Sequence, residues 1–427
     1  MRDAEIAGLL AASTVEPCGG AALHLLTPAD WQHLATLVDP ADFAGLFVAD
    51  GRAHALFFRA APLLVAVTLA DKAFPALSPS IPAASWFERL AAERDGAIAT
   101  GAADTRPAVR HGEGDAAWPR FAEPAGEGAF QVGQGPVSGL IARPVHRRFT
   151  IEAGRIVRLE HRHGYAHRDV AALLHGKSPR AAARFAARLA GDAVVAHALA
   201  FARAAEAAGD GAAPPRAAAL RAAMLEIEQV TAHLLALAGT LDIAGHAGLA
   251  ARLGRARDDI AAAVAVLFGH RLMMDVVIPG GIDVDARMEA LPALASALND
   301  AAAAARRIGG FGVRHALGPA SALARERARA IIALAPGIAP AIDAAPAGEI
   351  VAPLPPVSAR GLGSAASARG MVHHWVKLHD GQIAAAALID PAAGRFRALE
   401  DAAVGLEMEA FAMLAECYAL PPGAIDG

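Results

Sequence analysis

Glu226 and His233 are the two titratable side chains whose spacing most directly predicts a joint role. They are seven residues apart in an alanine-rich segment, so a helix would place both on one face. If that face is buried, the pair could relay protons, or the two groups could satisfy one another, because neither is stable alone in an apolar core. The sequence leaves both interpretations open.

A histidine cluster is the second candidate for chemistry. It consists of His161, His163 and His167, with His175 beyond them. Imidazoles at such spacing can ligate zinc or iron, but a zinc site needs three or four convergent ligands. No cysteine and no patterned carboxylate completes the set. We therefore expect structural histidines here, and a zinc hydrolase is the last of the alternatives.

The composition indicates which elements position these residues. A chain of 427 residues suits two domains or one large one. Hydrophobic residues make up 55% and aromatic residues only 5%, so alanine supplies much of the apolar fraction. Alanine is the best helix former, which favours a largely helical second half. The net charge of -4 gives no general electrostatic reason to bind nucleic acid.

The location of the protein is also predicted from local patterns. The first residues lack the basic and apolar regions of an export signal, and the apolar stretch 60–70 is too short to span a bilayer. The two cysteines, Cys18 and Cys417, lie near opposite ends of the chain and argue against a disulfide framework. We expect a cytoplasmic protein.

The N-terminal part has the pattern of a small α/β domain. A helix is predicted to begin at Pro28, and strands are predicted over 43–48, 53–59 and 63–69. A stretch rich in Gly, Asp and Arg then continues to about residue 130, which is typical of a linker. The expected domains are residues 1–125 and 126–427.

The second domain is predicted to be mainly helical. A β-hairpin turning at Ala153-Gly154 precedes four long alanine-rich segments, which indicate an antiparallel helical bundle. Strands near 372–378 and 383–389 and a last helix close the chain. The predicted fold class is α+β, a small α/β domain followed by a helical bundle with β-hairpins. The four segments are 179–207, 215–243, 246–274 and 287–307.

Several short motifs follow one another in a fixed order and give the chain a family resemblance. Those of the second domain are Gly164-Tyr165-Ala166-His167-Arg168, Arg188 to His197, Ile278-Pro279-Gly280-Gly281 and Ala368-Arg369-Gly370. With them the chain resembles a nickel-iron hydrogenase large subunit of the membrane-bound formate-hydrogenlyase type, and it is equally similar to the large quinone-pocket subunit of respiratory complex I. The upstream segment Trp86-Phe87-Glu88-Arg89 is similar to a motif of the small hydrophilic complex I subunit, which would be fused ahead of the large one.

The resemblance implies that the metal ligands of the hydrogenases are mostly lost. Ala190 and Ala193 stand at the first pair of ligand cysteines, and Ala392 and Arg395 at the second. In a rival alignment, Cys417 is the only surviving ligand-type residue. Nickel and iron need soft thiolates, so we expect a degenerate site without nickel-iron and no cofactor bound by this chain. The resemblance places an iron-sulfur cluster in a partner small subunit.

The quinone contacts of the complex I relatives are also replaced. Ser138 matches the position of a quinone-binding histidine, and Gly191 lies near that of a tyrosine. Asp192 and His197 remain close by in sequence. Arg369 matches an arginine that lies over the metal in hydrogenases, where a guanidinium stays charged even when buried.

The resemblance therefore implies a large subunit of a hydrogenase-related, complex I-like membrane oxidoreductase complex. It would be cytoplasmic and peripheral to the inner membrane, held there by membrane subunits and an iron-sulfur small subunit. Its role would be to shape a redox or proton-coupling cavity. An active quinone-reducing subunit and a purely structural or assembly subunit are the alternatives. The candidate site residues are Asp192, His197, Glu226, His233 and Arg369.

Overall fold

A computed structural model describes residues 2–109, 121–137, 144–165 and 167–425 of the chain. Its N-terminal part contains three helices and seven strands in the described residues. They are α1 (Arg2–Ala12), β1 (Thr14–Cys18), β2 (Ala21–Leu26), α2 (Pro28–Leu37), β3 (Phe43–Ala49), β4 (Arg52–Phe58), β5 (Pro62–Thr68), β6 (Ala73–Pro75), α3 (Ala84–Asp95) and β7 (Ile98–Thr100).

Five of these strands form one mixed sheet in the order β1-β2-β5-β4-β3. Only the β2 and β5 pair is parallel. The predicted helix at Pro28 and the three predicted strands are confirmed to within one or two residues. Thr27 caps α2, since its side chain accepts the amide of Asp30 at 3.1 Å. A separate apolar core lies under this sheet, around Trp31, Leu34 and Phe57.

A three-stranded antiparallel sheet links this part to the helices. It contains β8 (Phe130–Gln134), β9 (His146–Glu152) and β10 (Arg155–Arg162) in the order β10-β9-β8. The predicted hairpin turn at Ala153-Gly154 is confirmed, and both turn residues have positive φ angles.

The helical part follows, with a two-stranded ribbon within it. Its elements are α4 (Val170–Leu174), α5 (Pro179–Ala186), α6 (Val194–Ala208), α7 (Pro215–Ile243), α8 (Ala247–Phe268), β11 (Val277–Ile278), β12 (Gly281–Ile282), α9 (Leu291–Arg306), α10 (Phe311–Ala316) and α11 (Ser321–Asp343).

Two predictions for this region are corrected by the structure. The segment 179–207 is two helices, because the chain leaves the helix at Ala187 and restarts at Val194. Gly191 and Asp192 lie in this break, and both residue types favour turns. The sequence pattern also missed α11, which contains Pro336 and Pro340. Proline removes a helix donor, but the buried face of α11 packs against α7 and α9 and keeps it helical.

A second antiparallel sheet and two helices close the chain. They are β13 (Arg360–Ser367), β14 (Gly370–His379), β15 (Gln382–Ile389), α12 (Ala392–Ala403) and α13 (Met408–Tyr418). The two predicted strands are confirmed as β14 and β15, and β13 was not predicted. Its sequence is rich in glycine, alanine and serine, which weakens the strand pattern.

Helix α6 lies at the centre of this part and is buried over 13 of its 15 residues. Its backbone lies very close to β13. A Cβ atom at Gly361 would lie 2.0 Å from the carbonyl oxygen of Ala204, and one at Gly363 would lie 2.1 Å from that of Ala200. The absence of side chains at Gly361 and Gly363, together with the small side chains of α6, therefore allows α6 and the last sheet to pack closely.

The N-terminal sheet is joined directly to the last sheet. The amide of Gly19 donates to the carbonyl of Arg360, and the amide of Leu362 donates back to the carbonyl of Gly19, both at 2.8 Å. Trp375 of β14 is fully buried and its ring packs against Phe47 of β3 at 5.0 Å. In the part of the chain that the structure describes, no helix is long and apolar enough to cross a bilayer.

Candidate functional site

The N-terminus of α6 is capped by a carboxylate from another helix. Ala193 precedes the helix and has no side-chain acceptor. Glu228 of α7 takes that place, accepting the amides of Val195 at 2.6 Å and Ala196 at 2.9 Å. These are the amides that an N-cap side chain normally satisfies, and the helix dipole favours an anion at this end. The carboxylate therefore fixes α6 against α7.

Arg369 bridges two acidic residues beside this capped end. It lies in the turn between β13 and β14 and is 3% exposed. Its Nη2 donates to Asp390 Oδ2 at 2.9 Å, and its Nη1 donates to Asp192, which lies in the loop before α6. Burial lowers the pKa of Arg369, but Asp390 and Asp192 outweigh this effect and raise it. One guanidinium thus ties the β13–β14 turn to the loop before α6 and to the end of β15.

His197 connects Asp390 to a second buried imidazole. Its Nε2 lies 3.0 Å from Asp390 Oδ2, and its Nδ1 lies 2.9 Å from Nε2 of His374 on β14. His197, His374 and Asp390 are all buried. Burial raises the pKa of Asp390, but Arg369 and the bond to His197 together hold it well below its usual range. His197 Nε2–H therefore donates a hydrogen bond to an ionised Asp390.

The two imidazoles can exist in two protonation states with the same heavy-atom positions. With His197 neutral, its Nδ1 accepts a hydrogen bond from His374 Nε2–H. With one more proton on Nδ1, His197 becomes the donor to His374, whose pKa is held well below its usual range by burial. Arg369, Asp192 and Asp390 together have a formal charge of −1 next to this pair of imidazoles. The arrangement is suited to holding one exchangeable proton.

Glu228 adds a second group whose protonation is shifted. Burial, with a contribution from the charge of Asp192, raises its pKa to about 8, although the amides of Val195 and Ala196 and the charge of Arg369 act in the opposite direction. Buried groups with pKa values moved towards neutrality are typical of sites that transfer protons.

The structure brings together three of the five predicted site residues and separates the other two. Asp192, His197 and Arg369 belong to this buried group. The expected pairing of Glu226 with His233 is not formed, and Glu226, half-buried, has no hydrogen-bond partner among the described residues. His233 Nδ1 instead accepts from Arg327 Nη1 of α11 at 3.0 Å. Glu228 lies two residues after Glu226 in α7, so its side chain points in a different direction and contacts α6.

Three of the residues that complete the group were not selected from the sequence, namely Glu228, His374 and Asp390. Glu228 is close to Glu226 in the same helix, and only the packing of α7 shows which carboxylate is buried. His374 lies in a strand that is buried on both faces, so no alternation of apolar and polar residues shows which side chains face the site. Asp390 directly precedes the segment in which Ala392 and Arg395 match the second pair of ligand cysteines, and only those two positions were interpreted from the sequence.

The positions that match the ligand cysteines of hydrogenases are apolar or cationic here. Ala190, Ala193 and Ala392 are at most 1% exposed and end in methyl groups. The buried thiol of Cys417 lies 3.9 Å from the carbonyl oxygen of Ala320, and burial raises its pKa. This donor set does not fit a nickel-iron centre. No cluster of three or more His, Cys, Asp or Glu residues that could hold a metal occurs in the described residues.

The histidine cluster and Ser138 are the remaining candidates from the sequence. His161 Nδ1 lies 3.1 Å from Glu400, and its ring stacks on His163 at 5.8 Å, while His175 is exposed elsewhere. The four histidines therefore do not converge. Ser138, the position matched to the quinone-binding histidine, lies outside the described residues.

Comparisons with known proteins were made with both sequence and structure. No protein-family model matches the sequence, and no curated protein matches it. A chain of the Ni-Fe-Se hydrogenase from D. vulgaris Hildenborough in the reduced state superposes with a TM-score of 0.60 at 14% identity, covering 70% of this chain and 100% of that chain. A variant of the [NiFeSe] hydrogenase from Desulfovibrio vulgaris Hildenborough, pressurised with oxygen gas, gives 0.61 at 13%, with 70% and 100% covered.

The third solved structure belongs to a respiratory assembly. It is the membrane-bound sulfane sulfur reductase, an archaeal respiratory membrane complex, one chain of which superposes with a TM-score of 0.62 at 16% identity, covering 71% of this chain and 100% of that chain. Likenesses at this level of identity concern the fold. The chain therefore has an α+β fold of the hydrogenase large-subunit type, as its sequence predicts.

Proposed function

We propose that this chain is the large subunit of a complex I-like membrane oxidoreductase complex, and that it couples protons to electron transfer without a nickel-iron site. The observation that carries the proposal is the group at the N-terminus of α6, in which the half-buried Asp192 joins five buried residues, namely His197, Glu228, Arg369, His374 and Asp390. It lies beside Ala193 and Ala392, two of the positions matched to the hydrogenase ligands. The fold shared with a respiratory membrane complex supports a place in such an assembly.

The proposed role follows from electrostatics. An electron that arrives on an iron-sulfur cluster of a partner small subunit adds negative charge close to the site. In a low-dielectric interior such a charge raises the proton affinity of neighbouring groups. The His197 and His374 pair, already next to a group with a formal charge of −1, would take up the compensating proton. The chain would be cytoplasmic and peripheral to the inner membrane, attached through its partner subunits.

The proposal is tested on the assembly purified through a tag on this chain from its native host. Asp390→Asn removes the charge that fixes the tautomer of His197, and we expect a fall in donor-to-acceptor electron transfer of about tenfold or more, since positioned proton transfer is worth that much. The pH profile should shift as well. Glu226→Gln is the matched control, because it removes a carboxylate outside the buried group.

The alternatives predict different outcomes of the same experiment. A purely structural or assembly subunit predicts that Asp390→Asn leaves turnover unchanged whenever the complex still assembles, and this result would contradict the proposal. An active quinone-reducing subunit predicts turnover that depends on added quinone and falls when His197→Gln is introduced. In both cases co-purification of an iron-sulfur protein is measured alongside turnover.

A further inference from the structure

Arg369, which belongs to the buried group, also lines a cavity of about 250 Å³. Arg369, Arg395 of α12, and Arg327 and Glu326 of α11 supply its charged lining, and His233 of α7 also lines it. The volume equals that of roughly eight water molecules, so a small ligand with some of its hydration fits. Leu323, Ala330, Ser367, Ala368, Gly370 and Tyr418 complete the lining.

Two of the three arginines in this lining have no acidic partner. Among the described residues, no carboxylate lies within ion-pair distance of Arg327 or Arg395. Arg327 is 5% exposed and donates to the carbonyls of Cys417 at 2.7 Å and Tyr418 at 2.9 Å. Burial lowers its pKa, and the charges of Arg395 and Arg369 lower it further. Three mutually repelling cations around one cavity favour an anion between them.

The cavity also presents more donors than acceptors. Arg395 uses only Nε, which donates to the carbonyl of Arg369 at 2.9 Å, so its two terminal nitrogens have no protein partner in the described chain. Nε of Arg369 is buried and has no partner there either. Burial lowers the pKa of His233 to about 3. Its neutral ring accepts at Nδ1 from Arg327, so Nε2–H remains free to donate.

The acceptors on the cavity wall are few. Among the residues that the structure describes, Glu326 is the only carboxylate in the lining, and it is exposed on the surface of α11. Buried donors without a protein acceptor are costly unless a ligand or water satisfies them. Carboxylates, sulfate and phosphate offer several acceptor oxygens and match the geometry of guanidinium groups.

From these observations we infer that the cavity between α7, α11 and α12 binds a small oxyanion, with Arg395 and Arg327 supplying the charge and His233 and Arg369 supplying further donors. The inference goes beyond the proposed function. Binding of the anion needs no electron donor and no partner subunit. An anion here would lie against Arg369 and would therefore act on the charge balance of the neighbouring buried group.

The test is calorimetric titration of the full-length chain at low chloride with phosphate, sulfate and malonate in separate experiments. We expect saturable binding of at least one of them at one site per chain, and the three arms separate inorganic oxyanions from carboxylates. Arg395→Gln should weaken binding by about tenfold or more, since it removes a charge-assisted hydrogen bond. Arg397→Gln is the matched control on the same helix, where Arg397 pairs with Glu400 and Asp401 at the surface.

A second variant tests the site independently, in case Arg395→Gln impairs folding. Ala330→Glu adds a carboxylate to the cavity wall from α11, and it should abolish binding by pairing with the arginines. Absence of saturable binding of all three anions to the wild-type chain would overturn the inference. Equal losses in Arg395→Gln and Arg397→Gln would overturn it too. Either result leaves the proposed proton role standing, because that role is measured by turnover of the assembly.

Discussion

The N-terminal part and the helical part each bury one glutamate in the same local arrangement. Glu88 of α3 accepts the amides of Leu77 and Ser78 at 2.6 and 2.9 Å. Glu228 accepts those of Val195 and Ala196 at the same two distances. Each carboxylate binds two consecutive amides of a neighbouring segment and fixes one element against another.

The surroundings of the two glutamates differ. The core beside Glu88 is apolar, with aromatic and aliphatic side chains. Next to Glu228 lie the charged Asp192 and Arg369, and through them Asp390, His197 and His374. A buried carboxylate alone therefore indicates a structural role. The titratable groups joined to Glu228 are the reason why the proposed proton role is assigned to the helical part.

The largest effect is expected from removing the cation of the helical part. Arg369→Met leaves Asp390 buried without its guanidinium, so the free energy of unfolding should fall by about 3–5 kcal/mol. Arg52→Met in the N-terminal part is the control. Its partner Glu16 keeps Arg360 at 2.7 Å, so the loss should be about 1 kcal/mol or less. Urea unfolding of both variants measures this, and equal losses would contradict the difference between the two parts.

An intermediate effect is expected at the close contact of α6 with β13. Gly363→Ala forces a methyl group against the backbone of Ala200 and Ala204, with the nearest atoms at 2.1 and 2.3 Å, and should cost about 1–3 kcal/mol or more. Gly45→Ala in β3 is the control. Its new methyl group would meet only the side chain of Ile389, at 2.9 Å, and that side chain can move. Thermal unfolding should show the larger shift for Gly363→Ala. A larger shift for Gly45→Ala would mean that the close contact between α6 and β13 contributes little to stability.

The smallest effect, counted per pH unit, concerns the pH dependence of stability. With the pKa of Glu228 raised from 4.5 to about 8, the native chain binds the extra proton between these values. Stability from this group is therefore full below pH 4.5 and is lost as the pH rises towards 8, by up to about 1.4 kcal/mol per pH unit. Glu228→Gln should remove this slope.

The matched variant for that measurement is Glu88→Gln. It also loses part of a buried pair of hydrogen bonds, worth about 1–3 kcal/mol, but it leaves Glu228 in place, so the slope from Glu228 remains. Chemical denaturation at pH 5, 6, 7 and 8 compares the two variants with the wild type. A slope that survives in Glu228→Gln would assign the pH dependence to other groups.

The sequence predicted the fold better than the site. Turn signals and alternation located β3, β4 and β5, because they depend on local chemistry. The break before α6 was missed because alanine continues the helical pattern on both sides of Gly191. Helix α11 was missed because its prolines oppose it locally and only tertiary packing supports it.

For the site, the family resemblance led to Asp192, His197 and Arg369, which the structure brings together. The helical spacing of Glu226 and His233 described one face of α7 correctly but could not show which neighbours that face meets. Arg327 of α11 reaches His233 from a helix that the sequence did not predict. The pairing with Asp390 and His374 joins residues almost two hundred positions apart, which local patterns cannot show.

The most direct test of the central claim is the nickel and iron content of the assembly purified through this chain from its native host, measured by mass spectrometry. We predict no stoichiometric nickel, and iron that is accounted for by the iron-sulfur small subunit proposed as a partner. One nickel per chain would contradict the account. It would show that the positions matched to the metal ligands are wrong, and hydrogen chemistry would again have to be considered.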